Sequence, residues 1–444
     1  MLAKAAALAI PISLGICIFS AESIQKRAEA NDWQQLRPAG RYYQLKSHSD
    51  HPPIHAVVRG KGSPCILLES STGGLTQDWS SVIDDLAKIS TVITYDRTGL
   101  GFSSGPECDP KIIQRPRNAK QISKELQDLL ISIPEIDPSN GVILVGHGQG
   151  AASIVEVAHS LPVLRRTRTS TRTRTRRKSN RNSTDIENSF GNGLPCLAGV
   201  VLLDPVCGVQ QSHKEISSET AAAINSLSAA SKTLAKLAKY GVARIFMSLP
   251  NSIQNLTDLY LPRDCPTVQA LSSRVTHRST ICDEVACYAD DDQILHGVIQ
   301  NALHSSSHLI TEQGDTVPVL VVGHGNASMF KDLAIVGLEK GKAEEKQNRL
   351  KMLEELWQQG QLDLTHALST SAVYMRGRDT EHHMPQKHAR LTVNAIRAVL
   401  EAGNGRGGDG NGEDDGVREK SGGVEVLRKF KEKYHSERVI GIGR

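Results

Sequence analysis

Four apolar residues, Val142-Ile143-Leu144-Val145, run into Gly146-His147-Gly148-Gln149-Gly150, and a stretch of mainly small and apolar residues follows through residue 158. A short buried strand, a five-residue glycine turn and a helix, in that order, leave the backbone few choices. The outer glycines let the helix approach the strand closely. The middle residue is forced into a strained conformation that carries its position out over the sheet. Turns of this kind lie at the carboxyl ends of parallel strands, in sheets covered by helices on both faces.

The rest of the chain agrees with such a sheet. Residues 41–45 and 54–58 read as an opening antiparallel hairpin. Short apolar runs at 65–69, 91–95, 198–203, 317–322 and 372–375 read as buried strands. Between them, residues 119–130, 344–358 and 391–402 carry apolar side chains at helical spacing. Residues 217–309 lack strand alternation and read as several helices, a cap inserted after a core strand. The organisation expected is a hydrophobic anchor or signal segment at 1–30 and a first core part at 40–207. The cap follows at 208–312, a second core part at 313–402, and a disordered tail with a short helix at 403–444.

Charge is concentrated. The chain carries a formal +4, yet residues 165–181 alone hold nine basic residues and no acidic one, so the remainder is net negative. By composition the segment 165–193 is a disordered basic insertion. It has no interleaved aromatics on which bases could stack, so no nucleic-acid partner is expected. The eight cysteines form no C-x-x-C pair. Cys282 and Cys287 are spaced C-x4-C without a second pair, so the expectation is core thiols with one or two disulfides at most, and no metal. Residues 5–21 are uncharged and lie between Lys4 and Lys26-Arg27. This length favours an uncleaved membrane anchor over a removed signal, and places the protein on a membrane or in the secretory pathway. The sequons at Asn182, Asn255 and Asn326 are about as many as chance supplies and decide nothing.

Three motifs fall in order at strand ends: Leu67-Leu68-Glu69-Ser70-Ser71-Thr72-Gly73-Gly74, Tyr95-Asp96-Arg97-Thr98-Gly99-Leu100-Gly101-Phe102-Ser103, and the turn Gly146 to Gly150. With Leu202-Leu203-Asp204-Pro205 and Thr380-Glu381-His382 they make residues 40–402, the basic tract excepted, resemble the α/β-hydrolase superfamily, in a branch with an N-terminal hydrophobic segment. The resemblance implies an α/β-hydrolase fold with a mostly parallel central sheet, flanking helices and a helical cap. It implies that His382 is the general base, with His383 as the alternative, and that Asp204 is the acid fixing its tautomer. It implies an oxyanion hole from the backbone N–H groups of Thr72 and Gln149. Asp96-Arg97 reads as a structural ion pair and turn.

Two positions depart from the family pattern. Gly148 stands where the attacking serine belongs, and Ser71 stands where the family has glycine. Loss of the serine implies a protein impaired or inactive as a covalent hydrolase, binding a small apolar ligand or a partner. The alternatives are an active hydrolase of small esters that uses a substitute serine or a His-activated water, and a membrane-tethered interaction protein. A dinucleotide fingerprint, Gly146-x-Gly148-x-x-Ala151, is excluded because the region some twenty residues on is basic where an acid is needed. No cofactor is expected.

Overall fold

The computed structural model describes residues 2–46, 51–105, 108, 111–164, 193–206, 225, 228–247, 265–304, 309, 316–325, 343–403 and 422–435, with side chains from residue 18 onwards except at 246–247, 303–304, 343–346, 349–350 and 422. The basic tract, the three sequons, much of the expected cap and the glycine-rich part of the tail lie outside these residues.

Among the described residues, eight strands form one sheet: β1 (Arg41–Tyr43), β2 (Ile54–Arg59), β3 (Cys65–Glu69), β4 (Val92–Tyr95), β5 (Val142–His147), β6 (Leu197–Leu203), β7 (Val319–Gly323) and β8 (Val373–Arg376). Their order is β1-β2-β4-β3-β5-β6-β7-β8. β1 pairs antiparallel with β2 and β2 antiparallel with β4, and every later pairing is parallel. This is the α/β-hydrolase fold. The expected hairpin and each expected core strand are present, with ends moved by one or two residues.

The helices that frame the sheet and site are α1 (Leu2–Gln35), α2 (Ala119–Ser132), α3 (Gly150–Ser160), α4 (Pro266–Ser272), α5 (Val275–Ala286), α6 (Tyr288–His304), α7 (Ala343–Leu368), α8 (Ala389–Gly403) and α9 (Gly422–Tyr434). Period-two alternation sends neighbouring strand residues to opposite faces. Val142 and Leu144 of β5 join one core with Leu126, Leu129, Ile154 and Leu364, from α2, α3 and α7. Ile143 and Val145 join the other with Trp79, Ile396, Leu427 and Phe430, from the turn after β3 and from α8 and α9. α2 begins where the Asn118 side chain accepts the Gln121 N–H at 3.0 Å, which satisfies one of the unpaired donors of the first turn.

Three details extend what the sequence shows. The chain does not break at residue 30: α1 runs without interruption to Gln35 and packs its second half on the body. Gln25 Nε2 donates to the Ser273 carbonyl at 3.2 Å, Glu29 accepts the Val275 N–H at 3.0 Å, and Asp32 pairs with Arg244 at 2.6 Å. α9 lies where the sequence suggests a short helix near the end of the chain, and it buries Leu427 and Phe430 on the sheet's second face. Among the described cysteines, Cys65, Cys108, Cys196, Cys265, Cys282 and Cys287 are all free thiols, so no disulfide forms between them. Among the described residues no helix is long and apolar enough to cross a membrane, and no cluster of side chains suits a metal. Most of the uncharged segment, residues 5–17, lies outside the described side chains.

Candidate active site

The site gathers at the carboxyl ends of β3, β5, β6 and β7 and on the loop after β8. Gly148 has φ +55, the left-handed conformation that an elbow demands. Its N–H donates to the Leu203 carbonyl at 2.9 Å, which ties the turn to the end of β6. The outer glycines act as expected: a Cβ on Gly146 would lie 2.8 Å from the Ala151 Cα, and one on Gly150 would strike the Ser70 carbonyl.

Asp204 follows β6 and is also left-handed, at φ +48. Its carboxylate meets His382 Nδ1 at 2.5 Å. The opposite ring nitrogen, Nε2, lies 3.1 Å from where a Cβ on Gly148 would stand. The structure thus brings Asp204, His382 and the elbow position together in the order that a triad requires. It is His382, and not its neighbour His383, that meets Asp204 in this way. The His383 ring stands edge-on to His382, with centroids 5.4 Å apart, and burial holds its pKa far below the usual histidine value.

The surroundings of Asp204 go beyond what the sequence shows. His324 Nδ1 lies 2.8 Å from both carboxylate oxygens, and its Nε2 lies 2.8 Å from Glu354. Trp357 Nε1 and Gln361 Nε2 also donate to Asp204, at 3.1 and 2.7 Å. Burial alone would discharge His324, but the Asp204 and Glu354 carboxylates outweigh it and push the pKa up to about 10. Burial likewise pushes the Asp204 carboxyl up, but the same pairing outweighs it and holds Asp204 well below the ordinary carboxylate range. Asp204 therefore serves two imidazoles, His324 after β7, whose pKa is raised, and the candidate base. In sequence, the Gly323-His324-Gly325 strand end shows only that it lacks a carboxylate. A glycine-flanked histidine at a strand end is the available signal.

His147, beside the elbow glycine, is buried and its pKa falls to about 3, chiefly through burial and then through the neighbouring His382. It is neutral at ordinary pH. Its Nε2 faces the His382 carbonyl at 2.8 Å, which can only accept, so Nε2 carries the proton. This bond fixes the backbone of the candidate base.

The expected oxyanion-hole residues flank the elbow. The Gln149 N–H is engaged by the Ser71 hydroxyl at 3.3 Å, and the Gln149 side chain donates to Asp291 at 2.9 Å. Thr72 sits on the loop between Ser71 and Gly73. That loop is braced from the cap: Glu284 on α5 accepts the Gly73 N–H at 2.9 Å and pairs with Arg97 at 3.0 Å. Arg97 also pairs with Glu69 at 2.7 Å and donates to the Ser70 carbonyl. Asp96 and Arg97 consequently do not form an ion pair with each other. Asp96 binds His55 at 3.0 Å and accepts the N–H groups of Thr76 and Phe102.

No family model and no curated protein matches the chain. Solved structures do align with it. They include the epoxide hydrolase CorEH without ligand (13% identity over 81% of this chain and 98% of that one, TM-score 0.49). A bromoperoxidase from Bacillus anthracis (14%, 82% and 99%, 0.47) and an enol-lactonase from Burkholderia xenovorans LB400 (14%, 81% and 99%, 0.43) align as well. At such identities and scores these likenesses add nothing to the fold already read from the strand order, and the assignment of this chain to the α/β-hydrolase fold rests on its own sheet.

Proposed function

We propose that the chain acts on small ester-type acyl compounds, with the Asp204–His382 pair as general base and without an elbow serine. The observation that carries this reading is the register of the pair: Asp204 on Nδ1 at 2.5 Å, and Nε2 turned to the elbow 3.1 Å from the missing Cβ position. A carboxylate on Nδ1 holds the tautomer whose Nε2 is unprotonated and able to take a proton. The test is hydrolysis of a short-chain chromogenic ester by the whole protein. His382→Ala should lower kcat/KM by about 10³-fold or more. Equal turnover by His382→Ala would end the reading.

A second reading is a ligand-binding protein that has lost turnover. It is favoured by the bare Gly148 and by the Ser71 hydroxyl on the Gln149 amide, where a substrate oxyanion would otherwise sit. On this reading the wild type leaves the ester intact.

The N-terminal segment supports a membrane tether. α1 continues the uncharged run at 5–21, and Ile18, Phe19 and Ile24 are exposed on it, Phe19 by 74%. The test is flotation with neutral phosphatidylcholine vesicles, which the full chain should join and a chain lacking residues 2–17 should not. A basic-tract contribution would appear as extra, salt-sensitive binding to anionic vesicles that is lost on deleting residues 165–181.

A further inference from the structure

We propose that Ser71 supplies the attacking hydroxyl that Gly148 lacks. This deepens the reading above and rests on it. The chain departs from the family pattern at two positions, and the two lie against each other. A Cβ on Gly148 would stand 2.5 Å from the Ser71 Oγ, 3.0 Å from the Ser71 Cβ and 3.1 Å from His382 Nε2. The Ser71 hydroxyl and the candidate base therefore both lie beside the same point. That point is where an elbow serine would begin its side chain.

Two other serines near the site are committed or misplaced. Ser70 accepts from Trp79 Nε1 at 2.8 Å and donates to the Leu75 carbonyl at 3.3 Å, so it braces the loop. Ser153 is buried within α3, a turn beyond the elbow. Ser71 instead bonds the Gln149 N–H, a donor of the expected oxyanion hole. Its own backbone is held firmly: the Ser71 carbonyl accepts the Gly74 N–H at 3.0 Å, and Glu284 holds the Gly73 N–H. A fixed backbone with a single rotatable side-chain bond is what aims a nucleophile.

The chemistry balances with water as the only co-reactant. His382 Nε2 takes the Ser71 hydroxyl proton as Oγ forms a bond to the acyl carbon. The carbonyl electrons move to oxygen, which the Gln149 and Thr72 N–H groups stabilise once Oγ has left the Gln149 amide. Collapse breaks the bond to the alcohol oxygen, which leaves with the proton from His382. Water, deprotonated by His382, then attacks the Ser71 acyl ester and releases the acid, and the proton returns to Ser71. One ester and one water give one acid and one alcohol.

The same contacts make the obvious repair variant ambiguous. Gly148→Ser alone places a Cβ against Ser71, so it is crowded. Ser71→Gly together with Gly148→Ser removes the obstruction and moves the hydroxyl across the gap.

The experiment treats the full-length protein with an alkyl fluorophosphonate, locates the adduct by peptide mass spectrometry and follows ester turnover in parallel. The expected result is one adduct on Ser71, lost in Ser71→Ala and in His382→Ala, with turnover falling about 10³-fold in each. The double variant should carry its adduct at position 148 and none at position 71, which shows that the site tolerates either placement. Ser71→Ala that keeps wild-type turnover while His382→Ala loses it would overturn the proposal and leave the His382–water route of the proposed function standing. Turnover untouched by either variant would overturn both. A wild type that takes no label and turns over no ester, beside a double variant that does both, would also overturn it and would favour the second reading, loss of turnover.

Discussion

His324 carries the least expected chemistry at the residue scale. It sits between two buried carboxylates, Asp204 and Glu354, and stays protonated up to a pKa of about 10. A histidine raised in this way contributes stability that is whole below its unfolded pKa near 6.5 and is lost as pH rises through about 10. The unfolding free energy of the wild type, from urea titrations, should therefore fall between about pH 6.5 and about pH 10, by up to about 1.4 kcal/mol per pH unit in the part set by His324. His324→Gln should flatten that slope and lower stability at neutral pH by about 3–5 kcal/mol, the cost of leaving buried carboxylates without their cation. Equal slopes in both proteins would show that His324 is not charged. Asp204 and His382 are legible in the sequence because each follows a recognisable run, Leu-Leu-Asp-Pro and Thr-Glu-His. His324 and Glu354 are not, because no local pattern marks a contact between a strand end and a helix 30 residues on. Ser71 is visible as a departure from a motif, but its approach to Gly148 spans 77 positions and only the folded sheet supplies it.

The elements of the core are easy to read where apolar runs are short and bounded by glycine or proline, as at β3 and β5. α9 is harder. Its sequence reads as a short helix after a glycine- and acid-rich stretch, and nothing local shows that it packs on the body. Its side chains Leu427 and Phe430 reach the core, at 0% and 8% exposure. Leu427→Ala should cost about 2–5 kcal/mol and Phe430→Ala about 3–5 kcal/mol in chemical denaturation. Lys429→Ala, on the exposed side of the same helix, should cost under about 0.5 kcal/mol. Three equal and small effects would mean that α9 does not hold the sheet. α5 is a second element whose importance is hidden in sequence. It looks like one cap helix among several, yet its Glu284 binds both Arg97 and the loop that carries Ser71 and Thr72.

For the whole molecule, α1 belongs to the folded body from Gln25, which is buried, onwards. Trp33 packs against Phe102 with ring centroids 6.1 Å apart, and the Arg274 guanidinium lies 4.5 Å from the centre of the Trp33 ring. Leu36 and Trp33 border a small apolar cluster with Leu75, Leu100, Val268 and Leu271. Removing residues 2–17 should leave the thermal midpoint unchanged. Removing residues 2–35 should lower it by about 2–4 °C for each kcal/mol of packing lost. Equal midpoints would show that the second half of α1 contributes nothing to the fold. Composition conceals this arrangement, because polar residues after an apolar run read as a linker, and the partners of Gln25, Glu29 and Asp32 lie more than 200 positions away.

A rod clamped at one end is a lever. α1 is about 50 Å long at a rise of 1.5 Å per residue, and its clamp lies at Ser273 and Val275, where α5 begins. Eleven residues beyond Ser273, α5 presents Glu284 to Gly73 and Arg97. α5 thus joins the packed half of α1 to the loop beside the elbow through one carboxylate. A protein held by its N-terminus would have the loop of Ser71 and Thr72 oriented by whatever surface holds it.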